Sequence, residues 1–424
     1  MSRRVLAQGL ILVGVATLVG NGSAYLLSMV AARVLSPADF GAFGALTGLL
    51  IIIATLTIAM QTVTARRVAV AGVEGAGAER TDVERAALRV GILVGGAILI
   101  GGLLVSWPLG QALTIPPAAV LMGIASVAFV VVGCTAQGIA QGRQAHGRLS
   151  VTFMLNGVAR AAAGIVCVVV AGTVIGAAAG IMIGTAVGSA LSFLLIRQPA
   201  SGHATPRPSG PSWGATWRAW AGEFGHSTHA LIVLYTLTNV DVLLARLFLT
   251  EADSGEYAVG VLLAKIAFFL PYAIVIVLFP RMSAQGSRRT VFLAAGLTAG
   301  VGVIITAVSV VAGSLVARIL GGSQYPDLGG QMWLFALEGS AFALVQVLLY
   351  ARLAAQDRRA VAAVWAALVV LVVVVVGWRH GSVTQIVTTV LAVSLLLTAG
   401  GLLLDVFRRR QVAPGPLEPA QLPD

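Results

Sequence analysis

The chain has 424 residues, of which 58% are hydrophobic and only 10% charged, too few polar groups to cover a water-facing surface. That balance excludes a soluble multidomain protein and leaves lipid as the solvent. The net charge of +11 would point to nucleic acid in a soluble domain, so the placement of the positive charges has to decide its meaning.

Apolar runs long enough to cross a ~30 Å hydrocarbon core recur at about 8–31, 40–60, 88–109, 117–142, 150–171, 174–196, 227–249, 258–280, 290–312, 329–350, 360–378 and 383–406. They are continuously apolar rather than alternating, which favours helices over barrel strands. The expected fold class is therefore an all-α polytopic membrane protein of about 12 transmembrane helices. The first run follows a basic start but is too long for a signal-peptide core and reads as an uncleaved helix. On this map Arg33, Arg246, Arg318 and Arg379 lie on one side and Arg160 and Lys265 within spans, while every other Lys or Arg falls on the opposite side. The positive-inside rule then puts both termini in the cytoplasm, and no nucleic-acid partner is implied.

Along the chain, Gly172, Gly176, Gly180, Gly184 and Gly188 recur every four residues at helix six, a flat face for close helix packing or, alternatively, for sliding. The main break follows at 197–225, rich in Pro, Gly and Ser, where Trp213, Trp217, Trp220 and Phe224 share a helical face. That stripe reads as an interfacial helix on the inner surface, with an irregular loop or a partner-docking segment as alternatives. The expected organisation is an N-terminal lobe at 1–196, a cytoplasmic linker at 197–225, a C-terminal lobe at 226–407 and a disordered cytoplasmic tail at 408–424. Pro271 interrupts helix eight near its middle and Pro280 lies at its inner end; a proline in a span frees a backbone carbonyl and kinks the helix, which suits a gate or, alternatively, a static kink.

The lobes read as repeats. The exit of helix one, Ala32 to Phe43, aligns with the exit of helix seven, Ala245 to Tyr257, pairing Arg33 with Arg246, Asp39 with Asp253, Gly41 with Gly255 and Phe43 with Tyr257. Gln137 and Arg143 likewise match Gln346 and Arg352. Each half has an even number of helices, so the repeat is parallel, a pseudo-two-fold about the membrane normal.

Charge inside a span is costly unless it faces a bundle interior. At 1.5 Å per residue, Asp241 and Lys265 fall roughly 10 Å below the outer surface and Arg160 and Glu338 near the midplane, which suggests the pairs Asp241–Lys265 and Arg160–Glu338. Thr17, Asn21, Tyr25 and Ser28 form a polar stripe on helix one, and the repeat aligns Tyr25 with Thr238 and Ser28 with Asp241. No GxxxxGK[ST] loop is present, since the lone lysine, Lys265, follows Ala264 within a span; no cofactor or metal is expected, and Cys134 and Cys167 read as packing residues.

The segment Arg33-Val34-Leu35-Ser36-Pro37-Ala38-Asp39-Phe40-Gly41 is similar to the R-x-L-[GS]-P-x-[DE]-[FY]-G segment of bacterial polysaccharide flippases, in the multidrug/oligosaccharidyl-lipid/polysaccharide exporter superfamily. Leu278 to Ser283 and Ala317 to Tyr325 resemble that family's helix-eight exit and outer loop before helix ten. The resemblance implies a non-enzymatic flippase of the bacterial cytoplasmic membrane, moving a polyprenyl-pyrophosphate-linked oligosaccharide between leaflets by alternating access around a cationic cavity. Twelve helices fit the O-antigen and capsule type better than the fourteen of lipid II flippases. It further implies a lipid-linked glycan substrate, membrane lipids and other polysaccharide-assembly membrane proteins as partners, and secondary energisation. The candidate substrate-binding residues are Arg160, Lys265, Arg33, Arg246, Asn21 and Tyr25, and the candidate ion- or proton-coupling residues are Asp241 and Glu338. A drug or cation antiporter of the same superfamily is the alternative; a glycosyltransferase or polymerase would need a large outer loop, which is missing.

Overall fold

A computed structural model describes residues 3–74, 77–196, 229–271, 288–354 and 358–411. The linker with its tryptophan stripe, Pro280 and the tail beyond Gln411 lie outside the described residues. The N-terminal half is six helices: α1 (Arg3–Val34), α2 (Pro37–Glu74), α3 (Gly77–Ala112), α4 (Pro117–Gly142), α5 (His146–Ala171) and α6 (Val174–Ile196). The C-terminal half contributes α7 (His229–Leu237), α8 (Val240–Phe248), α9 (Glu251–Phe269), α10 (Arg288–Gly321), α11 (Met332–Ala354), α12 (Arg358–Gly377) and α13 (Val383–Gln411).

Ten of these are long and apolar enough to cross a membrane, and the bent pair α7–α8 makes an eleventh. The twelfth expected span begins as α9, whose Glu251, Asp253, Glu256 and Lys265 dilute its apolar character. Its helix ends at Phe269, immediately before the turn at Leu270 and Pro271, as a missing N–H and a ring clash at proline require. Side chains such as Val170 (83% exposed) and Val311 (88%) point outward, which only a lipid solvent makes favourable.

Several helices outrun their apolar stretch. Helix α2 continues to Glu74 and α3 starts at Gly77, so Arg66, Arg67, Arg85 and Arg89 ride on helical extensions rather than loops. The expected outer loop at 313–328 is instead mostly helix. Helix α10 bends at Ala312 (φ −120°, ψ 27°) and runs on to Gly321 before two 3₁₀ turns, Gly322–Gln324 and Asp327–Gln331, because Leu315 to Leu320 keep the apolar pattern going. The last helix also extends to Gln411, past the expected boundary at 407.

Packing reproduces the repeat. In the N-terminal lobe α4 is the hub, against α2, α3 and α6; in the C-terminal lobe α11 holds the same place against α9, α10 and α13. These two are the most buried spans, at 61% and 83% of their membrane windows. At the C-terminal end of each hub, the aligned arginines do the same thing: Arg143 Nη1 donates to Ile196 O on α6 (2.8 Å) and Arg352 Nη2 to Gly401 O on α13 (3.3 Å). Arg143 also grips Glu84 of α3 with Nε and Nη2.

Matching N-caps start the second helix of each lobe. Ser36 Oγ accepts from Asp39 N (3.1 Å) and donates to Asp39 Oδ2 (2.9 Å), while Thr250 Oγ1 does the same for Asp253 (3.2 and 2.8 Å), satisfying donors orphaned at a helix start. The glycines of α6 lie against the α5 backbone: a Cβ on Gly180 would meet Ala163 O and one on Gly184 would meet Ala159 O and Arg160 Cα. The stripe is therefore a packing face, except that Gly172 lies before α6 as the left-handed C-cap of α5 (φ 61°). Both cysteines are free.

Candidate functional site

The continuous seventh helix expected from hydropathy is broken. Helices α7 and α8 meet at 42° across Thr238 and Asn239, where Asn239 leaves helical geometry (φ −139°, ψ −7°). Its Nδ2 donates to Tyr235 O (2.8 Å) and Thr238 Oγ1 (3.1 Å), replacing part of the lost ladder. Irregular backbone at membrane depth is tolerated only when buried in protein or lining a cavity. Here it does both: Asn239 is 2% exposed and lines a small cavity between the helices.

Three charged groups of the C-terminal lobe converge on that cavity: Asp241 from α8, Lys265 from α9 and Glu338 from α11. Ile51 of α2 closes it from the other lobe, so the cavity sits at the interface. Asp241 Oδ2 accepts from the Tyr257 hydroxyl (3.0 Å). Asp241 Oδ1, Glu338 Oε2 and Asn239 Oδ1 are buried without a hydrogen-bond partner. A buried oxygen left without a donor costs roughly 1–3 kcal/mol. Asp241 interacts electrostatically with both Lys265 and Glu338, although among the described residues no direct ion pair joins them.

The other suggested pair is not formed. Arg160 on α5 has no ion pair or hydrogen bond among the described residues and does not line this cavity; the charged neighbour of Glu338 is Asp241. Matched depth along the membrane normal leaves lateral position free, and these two residues belong to different lobes. Of the helix-one stripe, Tyr25 has a buried hydroxyl with no partner, Asn21 is exposed, and Thr17 and Ser28 bond back to Val13 O and Ala24 O of their own helix. None of the four reaches the Lys265 cavity. The structure thus brings Asp241, Lys265 and Glu338 together and leaves Arg160, Asn21 and Tyr25 on the opposite lobe. Sequence reasoning missed Asn239 and Tyr257. The signal for Tyr257 was its pairing with Phe43, where the repeat differs by one hydroxyl.

At the end of the bundle opposite Arg143, Arg246 is 6% exposed and spends its donors on Leu113 O (3.0 Å), Thr114 O (2.8 Å), Ala38 O and Ser254 Oγ (3.1 Å each). Its carboxylate neighbour Glu251 is 3.6 Å away and mostly exposed. Arg33 donates from Nη2 to Ile319 O (2.5 Å) and from Nη1 to Met29 O (3.1 Å). Both are committed to backbone carbonyls.

A family model described as "Polysaccharide biosynthesis protein" matches residues 6–285. Among solved structures, the chain is similar to an inward-facing multidrug resistance MATE family transporter of the MOP superfamily (TM-score 0.75, 12% identity, covering 92% of this chain and 96% of that one). It is also similar to the lipid II flippase MurJ in an inward closed conformation (0.68, 11%, 96% and 94%), and to a MOP superfamily transporter from Pyrococcus furiosus (0.54, 12%, 96% and 96%). At these identities the likeness is one of fold. No curated protein sequence matches.

Proposed function

Since this chain belongs to the polysaccharide biosynthesis protein family and is a multi-pass membrane flippase or exporter with the MOP-superfamily fold, we infer that it moves a polyprenyl-(pyro)phosphate-linked oligosaccharide from the inner to the outer leaflet of a bacterial cytoplasmic membrane. The observation that carries this reading is the interlobe cavity with Lys265 beside two carboxylates and three unpartnered oxygens.

The chemistry runs through charge balance. With Asp241 and Glu338 ionised, the cavity has one more negative than positive charge; with both protonated, Lys265 alone remains and the cavity turns cationic. Proton or cation uptake at the carboxylates therefore prepares the site for an anionic phosphate, and release of that proton or cation expels it. Electrostatic terms of this kind are strong at low dielectric. On the other lobe Arg160, which has no ionic partner among the described residues, supplies a planar guanidinium fork suited to phosphate, and Asn21 and Tyr25 supply polar contacts for the glycan. Energy comes from an ion gradient or the membrane potential.

A second reading, a drug or cation antiporter, draws on the same cluster, since two carboxylates outnumber one lysine. One experiment separates them: purified protein in liposomes holding a fluorescent polyprenyl-pyrophosphate oligosaccharide, under an imposed pH or sodium gradient. Gradient-dependent flipping, lost at least about a hundredfold in Lys265→Ala and uncoupled from the gradient in Asp241→Asn, supports the flippase. Cationic drug efflux with no lipid flipping, unaffected by Lys265→Ala, would establish the antiporter instead.

A further inference from the structure

We propose that Arg33 and Arg246 form a paired clasp that holds the outer face of the translocation path shut, each capping a helix end of the opposite lobe. The aligned positions do the same work in trans. From the C-terminal lobe, Arg246 on α8 reaches the end of α3 through Leu113 O and Thr114 O, and the start of α2 through Ala38 O. From the N-terminal lobe, Arg33 on α1 reaches the end of α10 through Ile319 O, and Gln324 Nε2 returns a bond to Arg33 O (3.0 Å).

The receiving ends are equivalent. The last carbonyls of a helix lack intrahelical partners and carry the negative end of its dipole, so an arginine is the complementary cap. Both ends finish on a left-handed residue, Thr114 (φ 50°) and Gly322 (φ 81°). Helix α3 closes with Ile115 N to Gly110 O (2.9 Å) in the manner of a Schellman motif. A Cβ on Gly322 would approach Arg33 Cγ at 3.2 Å, so the bare glycine leaves room for the arginine to cross.

Between the two clasps the lobes meet through glycines. A Cβ on Gly41 would strike Ser254 and Gly255, one on Gly255 would strike the Pro37 carbonyl, and Gly44 and Gly48 lie against Ala258 and Val242. The α2–α9 crossing is thus a close backbone seam flanked by the buried rings of Phe40, Phe43 and Tyr257, and the arginines tie the lobes together at its end. The halves are unequal: Arg246 is buried with four bonds, whereas Arg33 is exposed with one bond across. Opening outward must strip both.

The test reads gate opening rather than transport, so it stands or falls separately from the substrate assigned above. Ala258, 3% exposed in the seam, is replaced by cysteine in the full-length protein with Cys134→Ser and Cys167→Ser, and a membrane-impermeant maleimide is applied to intact cells. Parent protein should label slowly. Arg246→Ala should raise the rate at least about tenfold, Arg33→Ala by roughly two- to fivefold, and the double variant by more than either, as loss of ties favouring one of two states requires. Arg379→Ala removes an outer arginine bonded within its own lobe to Thr388 and Thr389 and should change the rate by less than about twofold. If Arg246→Ala does not accumulate, Arg246→Lys, which keeps the charge without the fork, should still raise labelling severalfold. Unchanged labelling in the double variant, an equal rise in Arg379→Ala, or labelling only from the cytoplasmic side would overturn the clasp.

Discussion

Arg143 shows how much one side chain ties together. Its guanidinium forks onto Glu84 with both groups largely buried (16% and 11% exposed) and donates a third bond to Ile196 O, joining α3, α4 and α6 at the C-terminal end of the hub. Removing one member strands the other, which costs more than the pair contributes. Glu84→Gln is expected to lower unfolding free energy by roughly 2–4 kcal/mol, and the double variant with Arg143→Met to lose less than the sum of the single changes; thermal melting of detergent-purified protein checks both. Residue pairings were unevenly legible from sequence. The repeat alignment put Arg33 with Arg246 and Arg143 with Arg352, and each couple does equivalent work. The partners that the members of each couple share in kind were invisible because they are backbone carbonyls, which leave no mark in a sequence, and the Arg143–Glu84 pair has no counterpart that the repeat could point to. The Arg160–Glu338 pairing failed for a different reason, since depth fixes one coordinate out of three.

At the scale of elements, the four-residue glycine period translated directly into packing, because i and i+4 share a helix face and a face without Cβ atoms lets backbones touch. Gly184→Ala would push a methyl into Ala159 O and Arg160 Cα, backbone that cannot rotate away, and should cost about 1–3 kcal/mol. Gly300→Ala, with nothing within 4 Å of the added atom, should instead stabilise α10 by about 0.5–1 kcal/mol. Opposite shifts in melting temperature are the expected outcome; a gain in both would mean that helix propensity, not contact, sets the response. The α7–α8 break had no comparable sign. No glycine or proline marks Thr238–Asn239, and hydropathy averaged over a span cannot register two residues, even though the break shapes the charged cavity.

For the whole molecule, the hub positions of α4 and α11 and the matched caps of α2 and α9 make the two lobes versions of one plan, and the departures from that plan fall at the charged cavity. Ser28 and Phe43 stand in the N-terminal lobe where Asp241 and Tyr257 stand in the C-terminal lobe, so the buried carboxylate and its phenolic hydrogen-bond donor stand at these positions on one side only. A parallel repeat also fixes orientation: whichever membrane face takes the α4–α5 turn takes the end of α11 as well. The charges decide which face that is. Arg66, Arg67, Arg85, Arg89, Arg143, Arg148 and Arg352 crowd the side of the α4–α5 turn, against Arg33, Arg246, Arg318 and Arg379 on the other, and cationic residues are retained in the cytoplasm during insertion. A cysteine replacing Gln144 in the α4–α5 turn, or His203 in the linker outside the described residues, should therefore react with an impermeant maleimide only in inside-out vesicles. One replacing Ser323 beyond α10 should react only in intact cells, all in the Cys134→Ser, Cys167→Ser background. The reverse pattern would invert the map and place the arginine clasp on the cytoplasmic face; reaction of both positions from one side would break the even helix count on which the parallel repeat rests.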